Sequence, residues 1–74
     1  MQNFERVRDI VHDVTGIPAD LITADSTAEG LNVDSLDLTE IIMAVEDEFD
    51  IIVEDESSIH SVRDLINRID EQVA

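Results

Sequence analysis

Asp34-Ser35-Leu36-Asp37-Leu38-Thr39-Glu40-Ile41-Ile42-Met43-Ala44-Val45-Glu46-Asp47-Glu48-Phe49 reads as a helix entered through a cap and carried by an apolar stripe. Leu38, Ile41, Ile42, Val45 and Phe49 recur at the spacing that an α-helix gathers on one side. Asp34 or Ser35 offers the side-chain oxygen that closes a helix start. At about 100° per residue, Leu36, Glu40, Met43 and Asp47 fall on the opposite side, in a stripe roughly 60° wide. Leu36 and Met43 are therefore set among carboxylates on the face turned from the core. Single exposed apolar residues are ordinary. Here, however, they align with Ser35 at one end and Glu46, Asp47 and Glu48 near the other, which fits a docking face. A polarizable methionine among acids suits transient contact with several basic surfaces.

Two further stripes flank this one. Phe4, Val7, Ile10, Val11 and Val14 predict a first helix, with Gly16 where a left-handed cap belongs. Val62, Leu65, Ile66, Ile69 and Val73 predict a last helix, opened by Ser61 with Asp64 three residues on, a variant of the capping box. Residues 15–34 hold the only Pro and both Gly and read as a long loop, pinned by Ile17, Leu21, Ile22, Leu31 and Val33, with a single helical turn from Ala19 to Ile22 after Pro18. Ile51-Ile52-Val53 is β-prone but has no strand to pair with, so an extended connector is expected, leading to a short helical turn around Asp55 to Ile59. The fold class is all-α: three main helices and one short one in a small bundle. Its core is aliphatic, with Phe4 and Phe49 as the bulkiest parts.

Composition narrows the functions. Seventy-four residues make one domain, 1–74, too small for a catalytic cleft of the usual size. There is no cysteine, no apolar run of the roughly 20 residues that span a bilayer, and no basic-then-apolar start, so a cytoplasmic protein is expected. Nineteen acidic against four basic residues give a net charge of -15, and no Lys or Arg lies between Arg8 and Arg63. Such a surface repels nucleic acid and anionic membrane; its partners should be basic proteins. With 43% hydrophobic residues in periodic array, disorder is not the explanation of the charge. Asp25, Thr27, Glu29 and Gly30 imitate the beginning of an EF-hand loop, but the closing carboxylate position is Leu36, so no metal site is expected.

Ser35 fits two readings on local sequence. It caps the helix, or, with Asp34 as the cap, it lies in the first turn, where free N–H groups and the helix dipole favour an attached phosphate. Nucleophilic catalysis is a third possibility in principle, but it needs an activating base and an oxyanion site. The only histidines, His12 and His60, are near no Gly-rich elbow and are expected on solvated helix faces. No catalytic residue is assigned.

Taken together, Asp34-Ser35-Leu36-Asp37 and Glu40-Ile41-Ile42-Met43-Ala44-Val45-Glu46-Asp47-Glu48-Phe49-Asp50 resemble the signature of acyl carrier proteins. Val14-Thr15-Gly16-Ile17, Leu21-Ile22 and Leu31 fit that family's first helix and loop, and Ser61-Val62-Arg63-Asp64-Leu65 resembles the start of its last helix, so the likeness spans nearly the whole chain. The resemblance implies a monomeric carrier, not an enzyme. Ser35 would receive 4′-phosphopantetheine from coenzyme A through a separate Mg²⁺-using phosphopantetheinyl transferase, with Asp34 and Leu36 flanking the attachment. The arm's thiol would hold acyl groups as thioesters for acyl-transfer and synthase enzymes of fatty-acid, polyketide or other specialised lipid biosynthesis. It also implies that the basic docking patches of those enzymes meet the second helix, here at Leu36, Asp37, Glu40, Met43, Glu46 and Asp47.

Two departures from the family pattern stand out. Asn32 replaces a common Gly two places before Asp34, and Asn is the next best residue for a left-handed turn. Between Asp55-Glu56 and Ser61-Val62 the chain is about two residues shorter than common fatty-acid carriers, and Glu54 replaces the usual Pro, so a reduced third helix and a different cargo are expected. The alternative to a carrier is an unmodified acidic helical interaction module in which Ser35 is only a cap.

Overall fold

The computed structural model describes residues 2–73. Helices α1 (Gln2–Thr15), α2 (Ser35–Phe49) and α3 (Val62–Val73) follow in chain order, with single 3₁₀ turns at Ala19–Leu21 and Glu56–Ser58 in the two connections. The three stripes of the sequence are thus three helices, and both short turns fall where they are expected. Among the described residues no β-strand forms.

α1 packs against both other helices, while α2 and α3 touch each other least. Val7 and Val11 of α1, Ile41, Ile42 and Val45 of α2, and Val62, Leu65, Ile66 and Ile69 of α3 are buried. Ile42, Ile69, Val7 and Val45 are the largest fully buried side chains. Phe4 and Phe49, expected as the bulkiest parts of the core, pack against its edge. They lie half-buried at helix ends, with the Arg8 guanidinium 5.8 Å above the Phe4 ring and that of Arg6 5.6 Å above Phe49. A ring at the end of a bundle has helices on one side only, and the arginine stems cover part of the other.

α1 stops at Gly16, whose φ of 77° suits a residue without Cβ and whose amide donates to the His12 carbonyl at 2.8 Å. The loop that follows sinks Ile22 into the core and rests Ile17, Leu31 and Val33 against it. Leu21, expected to pin the loop, is 63% exposed instead, because it closes a 3₁₀ turn and its neighbour Ile22 takes the buried place. Asn32 has φ 60°, so it does supply the left-handed residue before α2.

The loop is fastened to the beginning of α3. Around an antiparallel bridge between Thr27 and Ser61, the Ala28 amide donates to the His60 carbonyl at 3.1 Å, the Val62 amide to Ser26 at 3.0 Å and the Arg63 amide to Ala24 at 3.0 Å. An Arg63–Asp25 ion pair at 2.7 Å lies outside them. α3 itself begins with the expected capping box: Ser61 Oγ accepts from the Asp64 amide at 3.2 Å, and Asp64 Oδ2 accepts from the His60 and Ser61 amides at 2.9 and 3.1 Å. Those amides hold the Asp64 carboxyl below the usual carboxylate range, the His60 bond contributing most.

After α2, Asp50 turns the chain at φ 55° and Ile51–Val53 run extended, as expected. Ile51 and Val53 face the core and Ile52 is 69% exposed, the alternation of a strand without a partner. Side-chain groups replace the missing neighbour. Gln72 accepts from the Ile52 amide at 3.3 Å and donates to its carbonyl at 2.6 Å, and Glu46 Oε2 accepts from the Val53 amide at 2.8 Å.

Candidate functional site

The site is built at the start of α2. Asp34 is the N-cap: its backbone is extended (φ -86°, ψ 177°) and its Oδ1 accepts from the Asp37 amide at 2.9 Å. Capping by Asp34 leaves Ser35 as the first residue of the helix, exposed, and no hydrogen bond among the described residues uses its hydroxyl. The Ser35 and Leu36 amides likewise find no acceptor among the described residues. A free hydroxyl beside free amides, at the positive end of a helix dipole, fits an attached phosphodiester.

Beyond Ser35 the outer face of α2 is as the helical wheel places it. Leu36 and Met43 are 76% and 57% exposed, Glu40 and Asp47 are exposed, and Asp37 is half-exposed in the first turn. Glu46 differs from this set. It is half-buried and its carboxylate is engaged by the Val53 amide, so it holds the connector in place.

The four arginines leave this face uncompensated. Arg6 pairs with Glu48 at 3.3 Å, Arg8 with Asp9 at 3.3 Å and Arg63 with Asp25 at 2.7 Å, while Arg68 donates to Ser58 Oγ at 2.6 Å. No ion pair among the described residues reaches Glu40 or Asp47. The negative potential along Leu36, Glu40, Met43 and Asp47 is therefore available to a basic partner.

Among the described residues, neither histidine is hydrogen-bonded to Ser35. His12, exposed on α1, has Nδ1 2.7 Å from the Ile17 carbonyl, so that nitrogen carries the proton and ties the helix end to the loop. His60 is exposed as expected, but in the connector just before the α3 cap and not on a helix face. In the segment that imitates an EF-hand, Asp25 faces Arg63, and the Thr27 hydroxyl accepts from the Gly30 amide at 2.9 Å. Among the described residues no group of three or more His, Asp or Glu converges as a metal would need.

One feature near Ser35 has no local sequence signal. Leu31 and Val33 of the loop, Leu38 and Ile41 of α2, Ile59 of the connector and Leu65 of α3 line a narrow apolar cleft that reaches Val11 of α1. Its volume is about 30 Å³, room for about two water molecules. Leu31, Val33 and Leu38 read from sequence as core or loop anchors; only the fold shows that they border a space.

Known proteins resemble this chain over nearly its whole length. A family model described as a phosphopantetheine attachment site matches residues 5–69. The acyl carrier protein of Streptococcus pneumoniae serotype 4 is 40% identical over 72 residues, covering 97% of this chain and 97% of its own length. That of Lactococcus lactis subsp. cremoris is 40% identical over 70 residues, covering 95% of this chain and 96% of its own.

Proposed function

The chain belongs to the acyl carrier protein family, and from that premise we propose that Ser35 is the residue that receives the arm. It is a carrier and not a catalyst, and its prosthetic group is 4′-phosphopantetheine. The observation that supports Ser35 is its unengaged hydroxyl, exposed at the first position of α2 while Asp34 does the capping. A transferase draws the arm from coenzyme A and makes the phosphodiester on the Ser35 oxygen. The Ser35 and Leu36 amides stabilise its charge. The thiol at the far end then holds an acyl group as a thioester.

The carried group is passed among acyl-transfer and synthase enzymes of fatty-acid, polyketide or other specialised lipid biosynthesis. Those enzymes dock on Leu36, Asp37, Glu40, Met43 and Asp47, where apolar contact is framed by carboxylates that no arginine of the chain neutralises. Glu46 acts on this face through the connector that it fixes. The chain works as a cytoplasmic monomer. Its alkyl cargo lies along the apolar cleft beside Ser35, and the single 3₁₀ turn Glu56–Ser58, a reduced third helix just ahead of the cleft-lining Ile59, distinguishes its cargo from an ordinary long fatty acid.

Intact-mass analysis after incubation with coenzyme A and a phosphopantetheinyl transferase tests the assignment. One arm is gained by the wild type and none by Ser35→Ala; an equal gain in both would move the attachment elsewhere. Charge reversal at Glu40 or Asp47 slows association with the transferase, and the loss grows as salt is lowered.

A further inference from the structure

We propose that the outer edge of the Ile51–Val53 connector binds an extended, basic segment of a partner protein, which adds to it as a second strand in the place that the Gln72 side chain now holds. The site uses neither Ser35 nor the outer face of α2, so the proposal goes beyond the carrier reading and does not rest on it.

The two edges of the connector are engaged differently. Toward α2, the Ile51 amide donates to the Glu46 carbonyl at 3.2 Å and the Val53 amide to Glu46 Oε2 at 2.8 Å. On the other edge, the Ile52 amide and carbonyl are both taken by one side-chain amide, that of Gln72, at 3.3 and 2.6 Å. A primary amide offers the same donor and acceptor as a peptide unit, so Gln72 stands where a neighbouring strand would exchange its pair of bonds. The Glu54 amide and carbonyl, two residues on, have no partner among the described residues. Releasing Gln72 strands no group: its side chain is exposed and returns to water, while the arriving backbone replaces both bonds.

The surroundings select the occupant. Ile52 is 69% exposed beside an open groove of about 410 Å³ and offers an apolar partner to one cross-strand side chain. Acids bracket the β-prone run, with Asp50 before it, Glu54, Asp55 and Glu56 after it, and Glu71 on the α3 side of the groove. Among the described residues none of them is in an ion pair, and the cation lining the groove, Arg68, donates instead to Ser58 Oγ at 2.6 Å. A second copy of this chain fits poorly, because antiparallel pairing centred on Ile52 sets Asp50 against Glu54 at both ends. An extended segment with an apolar residue between lysines or arginines suits the edge, the exposed Ile52 and the flanking acids together.

The probe is the end-blocked, fluorescently labelled peptide Lys-Lys-Thr-Val-Thr-Lys-Lys, whose valine faces Ile52 and whose inner lysines face Asp50 and Glu54. It binds the wild type in an anisotropy titration, and by NMR the Ile52 and Glu54 amides and the Gln72 side-chain amide shift most. Methylating the valine nitrogen removes the donor to the Ile52 carbonyl, keeps every charge, and weakens binding about tenfold. Ile52→Ser weakens it severalfold, and Gln72→Ala, which clears the edge, strengthens it severalfold. Both positions are exposed, and circular dichroism verifies that each variant is helical before titration. Absence of binding, equal binding of the methylated and plain peptides, or weaker binding by Gln72→Ala would each overturn the proposal. So would self-association of the free chain in sedimentation that Ile52→Ser abolishes, which would give the edge to a second copy. The full chain is titrated as purified, and the outcome does not depend on whether Ser35 is loaded.

Discussion

At the mouth of α2, Asp34 holds the Asp37 amide at 2.9 Å and so leaves the hydroxyl of Ser35 free. Replacing Asp34 by Ala should lower stability by about 1 kcal/mol through the lost cap, and Asp34→Asn should restore most of it, as read from urea midpoints. In the core, Val45 is fully buried and Leu38 only half-buried beside the cleft. Val45→Ala is therefore expected to cost about 2 to 3 kcal/mol and Leu38→Ala less, in the same urea measurement. That the helix starts at Asp34 and Ser35 was nearly legible in sequence, because a helix start is a local event and only the choice of cap stayed open. Glu46 was not legible as a support. Its place on the helical wheel resembles that of its acidic neighbours, and its bond to Val53 depends on how the chain returns after Asp50.

Each helix end can be judged by the charges placed on it. The start of α3 is well matched, with Asp64 accepting from the His60 and Ser61 amides and its carboxyl held below its ordinary value of 3.8. A carboxyl depressed in the folded state adds stability above its ordinary pKa and loses it as pH falls through the folded value. Asp64→Asn should therefore reduce stability at neutral pH and weaken the acid-side decline in a melting series below pH 4. The end of α2 is poorly matched: Glu46, Asp47, Glu48 and Asp50 crowd the negative pole of its dipole, and among the described residues only Arg6 answers them. Asp50→Asn removes one charge and keeps a residue suited to φ 55°, so it should raise stability by about 0.3 to 1 kcal/mol. A fall on that substitution would mean that Asp50 has a stabilising contact. Helices and caps could be read from periodicity because both are short-range. The Thr27–Ser61 bridge and the Gln72–Ile52 pairing join residues far apart in the chain, for which one sequence carries no spacing signal.

For the molecule as a whole, a net charge of -15 on 74 residues sets self-repulsion against a small aliphatic core. Added salt or millimolar Mg²⁺ should raise the melting temperature, and insensitivity to both would show that repulsion is not what limits stability. The same charge, left uncompensated along α2, is what the proposed docking of basic enzymes rests on. The three-helix order and the long loop were visible in the sequence, whereas Leu21 was misplaced and the half-burial of Phe4 and Phe49 was not visible, because burial at the rim depends on what packs over each residue. The central claim is that Ser35 carries the arm and its cargo. Mass spectrometry of the peptide containing Ser35, from chain purified out of its own growing cells, reads this directly. A 4′-phosphopantetheine with an acyl thioester on Ser35 is the result expected; a bare Ser35 throughout, or the arm on another serine, would contradict it.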